Sequence, residues 1–161
     1  MVIIDVNDIE LFCEILRRSR KSIALTNGSF DLVHSGHVNY LNEAKKMADY
    51  LIVGINSDIS VKQYKSDKRP MILEKQRAFL IDNLKAVDYV VIFSETTADK
   101  LIEKVKPDFY VKGGDYMEET LPETATVKKY GGKIKFIKMT EGCSTTNIIN
   151  KILDIYAKKN K

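Results

Sequence analysis

Histidine and cysteine are scarce in this 161-residue chain, with two of each. Cys13 and Cys143 are too few and too far apart for a disulfide framework or a CxxC metal site, so both are expected to be reduced thiols. No stretch reaches the roughly 18 consecutive apolar residues of a membrane span. The N-terminal MVIIDVNDIE has neither the basic nor the apolar region of a signal peptide. These absences point to a cytoplasmic protein with no membrane partner. Low-complexity tracts, internal repeats and dividing linkers are also missing. The expectation is one domain over 1–161, with an N-terminal helix within 1–20 and an α/β core over 22–158. The two commonest phosphate-binding patterns, GxxxxGKS/T and GxGxxG, are absent as well.

Charge of one sign is in modest surplus, 26 basic against 22 acidic residues for a net +4. The surplus gathers in 62–69 and near the C-terminus, without repeated aromatic–basic interleaving. That pattern fits a solvated surface or a site for small phosphorylated ligands better than a nucleic-acid interface. What the chain has in quantity is alternation. Asn7 and Glu10 stand in capping-box spacing before Ile9, Phe12, Cys13 and Leu16, which predicts an amphipathic helix over 7–20. Strands are expected at 22–26, 50–55, 89–93, 108–113 and 133–138. Helices are expected from 36, then at 58–64, 73–86, 97–105, 121–130 and 144–158. Five apolar strands separated by helices predict a Rossmann-like, doubly wound five-stranded parallel sheet covered on both faces. Ligands of such sheets bind beyond the carboxyl ends of the strands. The chemically informative segments all fall just after strands.

Both histidines sit in TNGSFDLVHSGH (26–37), after the first core strand. Gly28 and Ser29 end the strand, and His34-Ser35-Gly36-His37 opens the next helix. A helix start offers free N–H groups and a positive dipole end, which favour phosphate. Gly36 permits close backbone approach. Two imidazoles three residues apart face the same side and each supplies an N–H donor, which is what phosphoryl and nucleotidyl transfer chiefly demand. Two other readings stand beside this one. The pair could be structural, one ring capping the helix and the other exposed. It could also belong to a zinc site, although no third ligand has suitable spacing and the expected metal set is none.

EGCSTTNIINKIL (141–153) places Ser144, Thr145 and Thr146 before Ile148, Ile149 and Ile152, at another helix start. One hydroxyl there is an ordinary N-cap. Three after a glycine read as a second phosphate cradle. The expectation is that this turn and the imidazole pair converge on one anionic guest.

GSFDLVHSGHVNYLNEAKKMADYLIVGINSD, with KSDKRP, VKGGDY and EGCSTT, resembles the cytidylyltransferase-like nucleotidyltransferases that carry an HxGH motif. The match is to their heptose 1-phosphate adenylyltransferase group, in the stand-alone form without a fused sugar kinase, from about residue 22 to 155. The resemblance implies transfer of AMP from ATP to a heptose 1-phosphate for surface-polysaccharide and lipopolysaccharide precursors, with Mg2+ held mainly by phosphates. Partners would be the nucleoside triphosphate and the sugar 1-phosphate, in a homodimer. It implies nucleotide contacts at Gly28, Ser29, Phe30, His34, Gly36, His37, Gly113, Gly114, Asp115, Glu141, Ser144, Thr145 and Thr146. His34, His37 and Lys65 would be catalytic, and Lys65, Arg69, Arg77 and Lys112 would bind the sugar phosphate. Lys62 and Lys68 are weaker candidates, and Asp31 is expected to brace the loop. Met139 stands where the cytidylyltransferases have arginine, which counts against a cytidylyl donor and is consistent with the heptose group. The competing functions are a glycerol-3-phosphate cytidylyltransferase, a GTP-using heptose 1-phosphate guanylyltransferase, a non-catalytic nucleotide-binding module and a basic RNA binder.

Overall fold

The computed structural model describes residues 3–114 and 118–157. Its sheet has six parallel strands in the order β1-β4-β3-β2-β5-β6. They are β1 (Ile3–Ile4), β2 (Ile23–Gly28), β3 (Tyr50–Asn56), β4 (Tyr89–Phe93), β5 (Phe109–Gly113) and β6 (Lys133–Ile137). The expectation of five strands is corrected by β1, which pairs with β4 through Ile3 and Ile4 beside Val90 and Val91. Two residues are too few to display a period of two, and only the free edge of β4 makes them a strand.

The helices are α1 (Ile9–Arg18), α2 (Ser35–Lys45), α3 (Asp58–Tyr64), α4 (Glu74–Asp82), α5 (Asp99–Val105), α6 (Thr124–Lys129) and α7 (Thr145–Tyr156). On α1 the apolar stripe is real, since Ile9, Cys13 and Leu16 are buried and Phe12 meets the Tyr89 ring edge-on at 4.6 Å. The expected Asn7–Glu10 capping box is not what starts the helix. Asp8 holds the N-cap position, and the Asn7 backbone N–H donates to Asp5 Oδ1 at 2.8 Å instead.

Two cores follow from strand alternation. Ile23, Leu25, Val91, Phe93 and Tyr110 pack with α1, α5 and α6 on one face. Ala24, Leu51, Val53, Val90 and Val111 pack with α2 and α4 on the other. A chain that winds from β2 through β3 to β4, then crosses back to β5, leaves its switch point between β2 and β5. Loops leaving those strands diverge there and open a crevice.

At the sheet's edge β6 exposes Lys133 and Lys135, which discourage pairing with another chain. The apolar residues that follow the 144–146 hydroxyls do not form a core face: no residue of α7 is buried, and Ile152, Leu153, Ile155 and Tyr156 are exposed. None of the described helices is long and apolar enough to cross a membrane.

Candidate functional site

At the β2/β5 switch point the ends of the strands border an open cavity of about 250 Å3. Gly28, Ser29 and Phe30 line it from the β2 end, and His37 and Tyr40 from α2. Tyr64 and Lys65 lie at the end of α3, and Lys112 and Gly113 at the end of β5.

His37 is held from three sides. Its ring stacks on His34 with centroids 3.9 Å apart, and Phe30 lies against it at 5.3 Å. Its Nδ1 accepts the backbone N–H of His34 at 3.3 Å. That contact fixes the neutral tautomer, so the remaining hydrogen is on Nε2, the nitrogen available to a guest. Burial, aided by His34 and Lys65, pushes the His37 pKa down to about 4. Burial also lowers that of His34. Both imidazoles are therefore neutral donors near pH 7.

Phe30 achieves its position at a backbone cost, with φ of 44° in the left-handed region that a bulky residue rarely adopts. Gly28 leaves room for it, since a Cβ there would lie 3.1 Å from the Phe30 ring.

Cations line the other wall. Lys65 Nζ donates to Ser29 Oγ at 2.7 Å, and desolvation, followed by the nearby Arg69, holds its pKa below the usual lysine value. Lys112 is likewise depressed by burial, with Glu123 acting in the opposite sense. No carboxylate lines the cavity among the described residues. The nearby carboxylate of Asp31 is fully committed. It accepts from Arg69 Nε and from the backbone N–H groups of Met71 and Ile72 at 2.7 and 2.9 Å, so it braces the loop as expected. Burial raises its pKa, but those bonds outweigh it and the net shift is downward.

The two turns that the sequence places 108 residues apart meet. Ser35 Oγ lies 3.5 Å from Cys143 Sγ, and Asn39 Nδ2 reaches Thr140 Oγ1 at 3.4 Å. A Cβ on Gly36 would fall 2.8 Å from the Cys143 Cβ and 3.0 Å from the His34 ring. Ser144 caps α7 by accepting the Asn147 N–H at 3.0 Å, and its own hydrogen remains available. Thr145 Oγ1 lies 3.5 Å from the Leu32 carbonyl, and Thr146 is exposed. Among the described residues, the buried side-chain nitrogens without any partner are His34 Nδ1 and Arg69 Nη2. Buried polar groups are normally satisfied, and both of these belong to residues that the sequence already nominated.

Not every nominated residue reaches the cavity. Arg77 is a correction. Its guanidinium is fully buried and donates to the carbonyls of Ser29, Asn56 and Ile72 and to the Asp58 carboxylate, so it ties loops together instead of meeting a ligand. Glu141 projects outward beside Lys138 at 3.8 Å, and Lys62 and Lys68 are exposed. Gly114, at φ of 118°, donates its N–H to the Ile137 carbonyl at the end of β6. Asp115 lies outside the described residues. Sequence reasoning missed Asn27, Tyr40 and Tyr64 as cavity residues, and Cys143 as the contact between the turns. The one available signal was Tyr40, a single helical turn after His37.

Over residues 25–151 the chain matches the family described as cytidylyltransferase-like. It is 47% identical over 143 residues to the "Bifunctional protein HldE" of Syntrophotalea carbinolica, covering 89% of this chain and 29% of that protein. The protein of the same name from Helicobacter pylori strain J99 is 46% identical over 144 residues, covering 89% and 30%. The chain thus spans less than a third of the length of these curated relatives. A crystal structure of the lipopolysaccharide core biosynthesis protein from Thermoplasma volcanium is 30% identical with a TM-score of 0.62, covering 74% of this chain and 97% of that one. Pantoate-beta-alanine ligase from Francisella tularensis, 17% identical with a TM-score of 0.63 over 98% of this chain and 79% of its own, shares the fold.

Proposed function

The chain belongs to the cytidylyltransferase-like family, and from that premise we propose that it transfers AMP from ATP to a heptose 1-phosphate, giving ADP-heptose and pyrophosphate. The observation that carries the proposal is the meeting of the 34–37 and 140–145 turns around Gly36, beside a cavity rimmed by lysines and free of described carboxylates. The HldE relatives, at 46–49% identity, support the heptose acceptor and the adenylyl donor.

In this reading an oxygen of the sugar 1-phosphate attacks the α-phosphorus of ATP. A Pα–O bond forms, the Pα–O–Pβ bond breaks, and pyrophosphate leaves with the electron pair. The attacking phosphate is already ionised, so no general base is needed. The protein's task is positioning and charge stabilisation. His37 Nε2–H and the unpartnered His34 Nδ1 face the donor phosphates. The 144–145 hydroxyls and the α7 start hold the triphosphate tail. Lys65 bridges the two substrates, and Arg69 directs its free Nη2 to the acceptor phosphate. Magnesium would enter with the triphosphate and supply charge neutralisation. The described cavity lining offers it no carboxylate, so phosphate oxygens and water would be its ligands. A homodimer belongs to the same proposal, and the exposed apolar side chains of α7 are what such a contact would cover.

Pyrophosphate release tests the reading directly, with ATP, CTP and GTP each crossed with heptose 1-phosphate and glycerol 3-phosphate. ATP with heptose 1-phosphate is expected to exceed every other pair by about 10²-fold in kcat/KM. Release with no pair, or a preference for CTP and glycerol 3-phosphate, would refute it.

Gly36 offers a sharper check on the site. Alanine ordinarily stabilises a helix over glycine by about 1 kcal/mol, but here its methyl would strike Cys143 and the His34 ring. The clash should prevail and part the two turns. Gly36→Ala is expected to lose about 10²-fold in kcat, as a displacement of about 1 Å can do. Cys143→Gly in the same chain should restore much of it. A fully active Gly36→Ala would mean that the turns need not touch.

A further inference from the structure

Side chains alternate across a strand, so the mouth of the cavity has two sides. His37 and Tyr40 belong to α2, on the face that holds Ala24 and Val111. Asn27 lies two residues after Leu25, and Lys112 two after Tyr110. Leu25 and Tyr110 both sit in the core of the opposite face, with α1 and α5. Asn27 and Lys112 therefore form the wall across the cavity from the imidazoles, and both line it.

Asn27 Oδ1 lies 2.7 Å from the Tyr110 hydroxyl and 3.2 Å from Lys112 Nζ. An ammonium only donates. The atom facing it must be the amide oxygen, and Tyr110 must then direct its single proton to that same atom. Two donors thus fix which way the amide is turned. Its NH2 group is turned away from both and has no protein partner among the described residues. With the remaining hydrogens of Lys112, the wall presents donors only, which selects hydroxyl and phosphate oxygens. The face across from it holds the imidazoles assigned to the donor phosphates, so this wall is left to the second substrate.

We propose that Asn27 is a specificity-determining residue for the acceptor, its amide donating to a hydroxyl oxygen of the sugar 1-phosphate while Tyr110 and Lys112 hold it in that orientation. The proposal rests on the adenylyl-transfer reading above, and its test separates the two.

Asn27→Ala removes the donor. Asn27→Asp keeps the shape and gives Lys112 an ion-pair partner, but presents an acceptor in the donor's place. Both variants are expected to raise the KM for the sugar phosphate by about 10–100-fold, with the KM for ATP unchanged and the aspartate variant unfolding at the native temperature. A deoxy sugar 1-phosphate lacking the bonded hydroxyl should lose the same factor in the native protein and nothing further in Asn27→Ala. A structural role would not produce that pattern. Calorimetric titration of the sugar 1-phosphate reads the same contact without turnover. An unchanged acceptor KM and affinity in both variants, or an equal rise for ATP, overturns the role of Asn27. Native protein that binds the sugar phosphate in an Asn27-dependent way but releases no pyrophosphate sinks only the reaction, and native protein that binds none sinks both.

Discussion

Replacing His37 with alanine is expected to slow pyrophosphate release by about 10²–10³-fold, the usual consequence of deleting one preorganised donor to developing oxyanion charge. The size follows from how tightly the ring is aimed. Stacking on His34, the tilted Phe30 ring and the His34 N–H on Nδ1 leave it one direction in which to point Nε2–H. His34→Ala should cost a similar factor, and the double variant less than the product, because the rings act as a unit. A nucleotide-binding module without catalysis would keep its affinity in these variants and show no native turnover to lose.

The same residue gives a pH signature. Its folded pKa is lowered from 6.5 to about 4, so between these values the unfolded chain binds a proton that the native protein does not. Stability is therefore complete above about pH 6.5 and falls as pH drops towards 4. His37→Ala should flatten much of that slope in urea titrations, leaving what His34 contributes. Triphosphate, which favours the protonated ring, should bind with proton uptake near pH 5.5 in the native protein and with less in the variant.

Arg77→Met is expected to destabilise the fold by about 3–5 kcal/mol, since removing the buried guanidinium leaves three backbone acceptors unsatisfied and the part-exposed Asp58 carboxylate without its partner. For a chain of this size that lowers the unfolding midpoint by roughly 10 °C. Three backbone carbonyls and the Asp58 carboxylate lose their donor at once. Lysine should not rescue: one ammonium cannot reproduce the planar fork that spans the ends of β2 and β3 and the loop before α4. Had Arg77 been a ligand contact, the same substitution would have left the midpoint alone and raised the acceptor KM. Thermal unfolding and kinetics on one preparation distinguish the outcomes.

Most of the framework was legible because it is written in local periods. The 89–93 strand lies where its run of YVVIF places it, and Ile9, Cys13 and Leu16 bury the stripe that their spacing announces. The imidazole pair stood out by its rarity and by its place after a strand. Less was legible where burial depended on partners from elsewhere. The arginine at 77 and the lysine at 65 look alike as charges beside a basic loop. One is sealed under four acceptors from three segments and the other reaches into the cavity. The apolar spacing of α7 mimics a core helix, yet among the described residues Ile148 and Ile149 are only half-buried and Ile152 and Leu153 are exposed.

By itself the sequence determined the alternation of strands and helices, the parallel doubly wound class and the two turns rich in phosphate-suited groups. Each of these depends on residues within a few positions of one another. Tertiary structure alone decided that β2 and β5 would be neighbours. That adjacency turned Asn27 against Tyr110, while other long-range packing set Cys143 against Gly36 and buried Arg77 under acceptors at the ends of β2 and β3, each through atoms arriving from more than fifteen residues away.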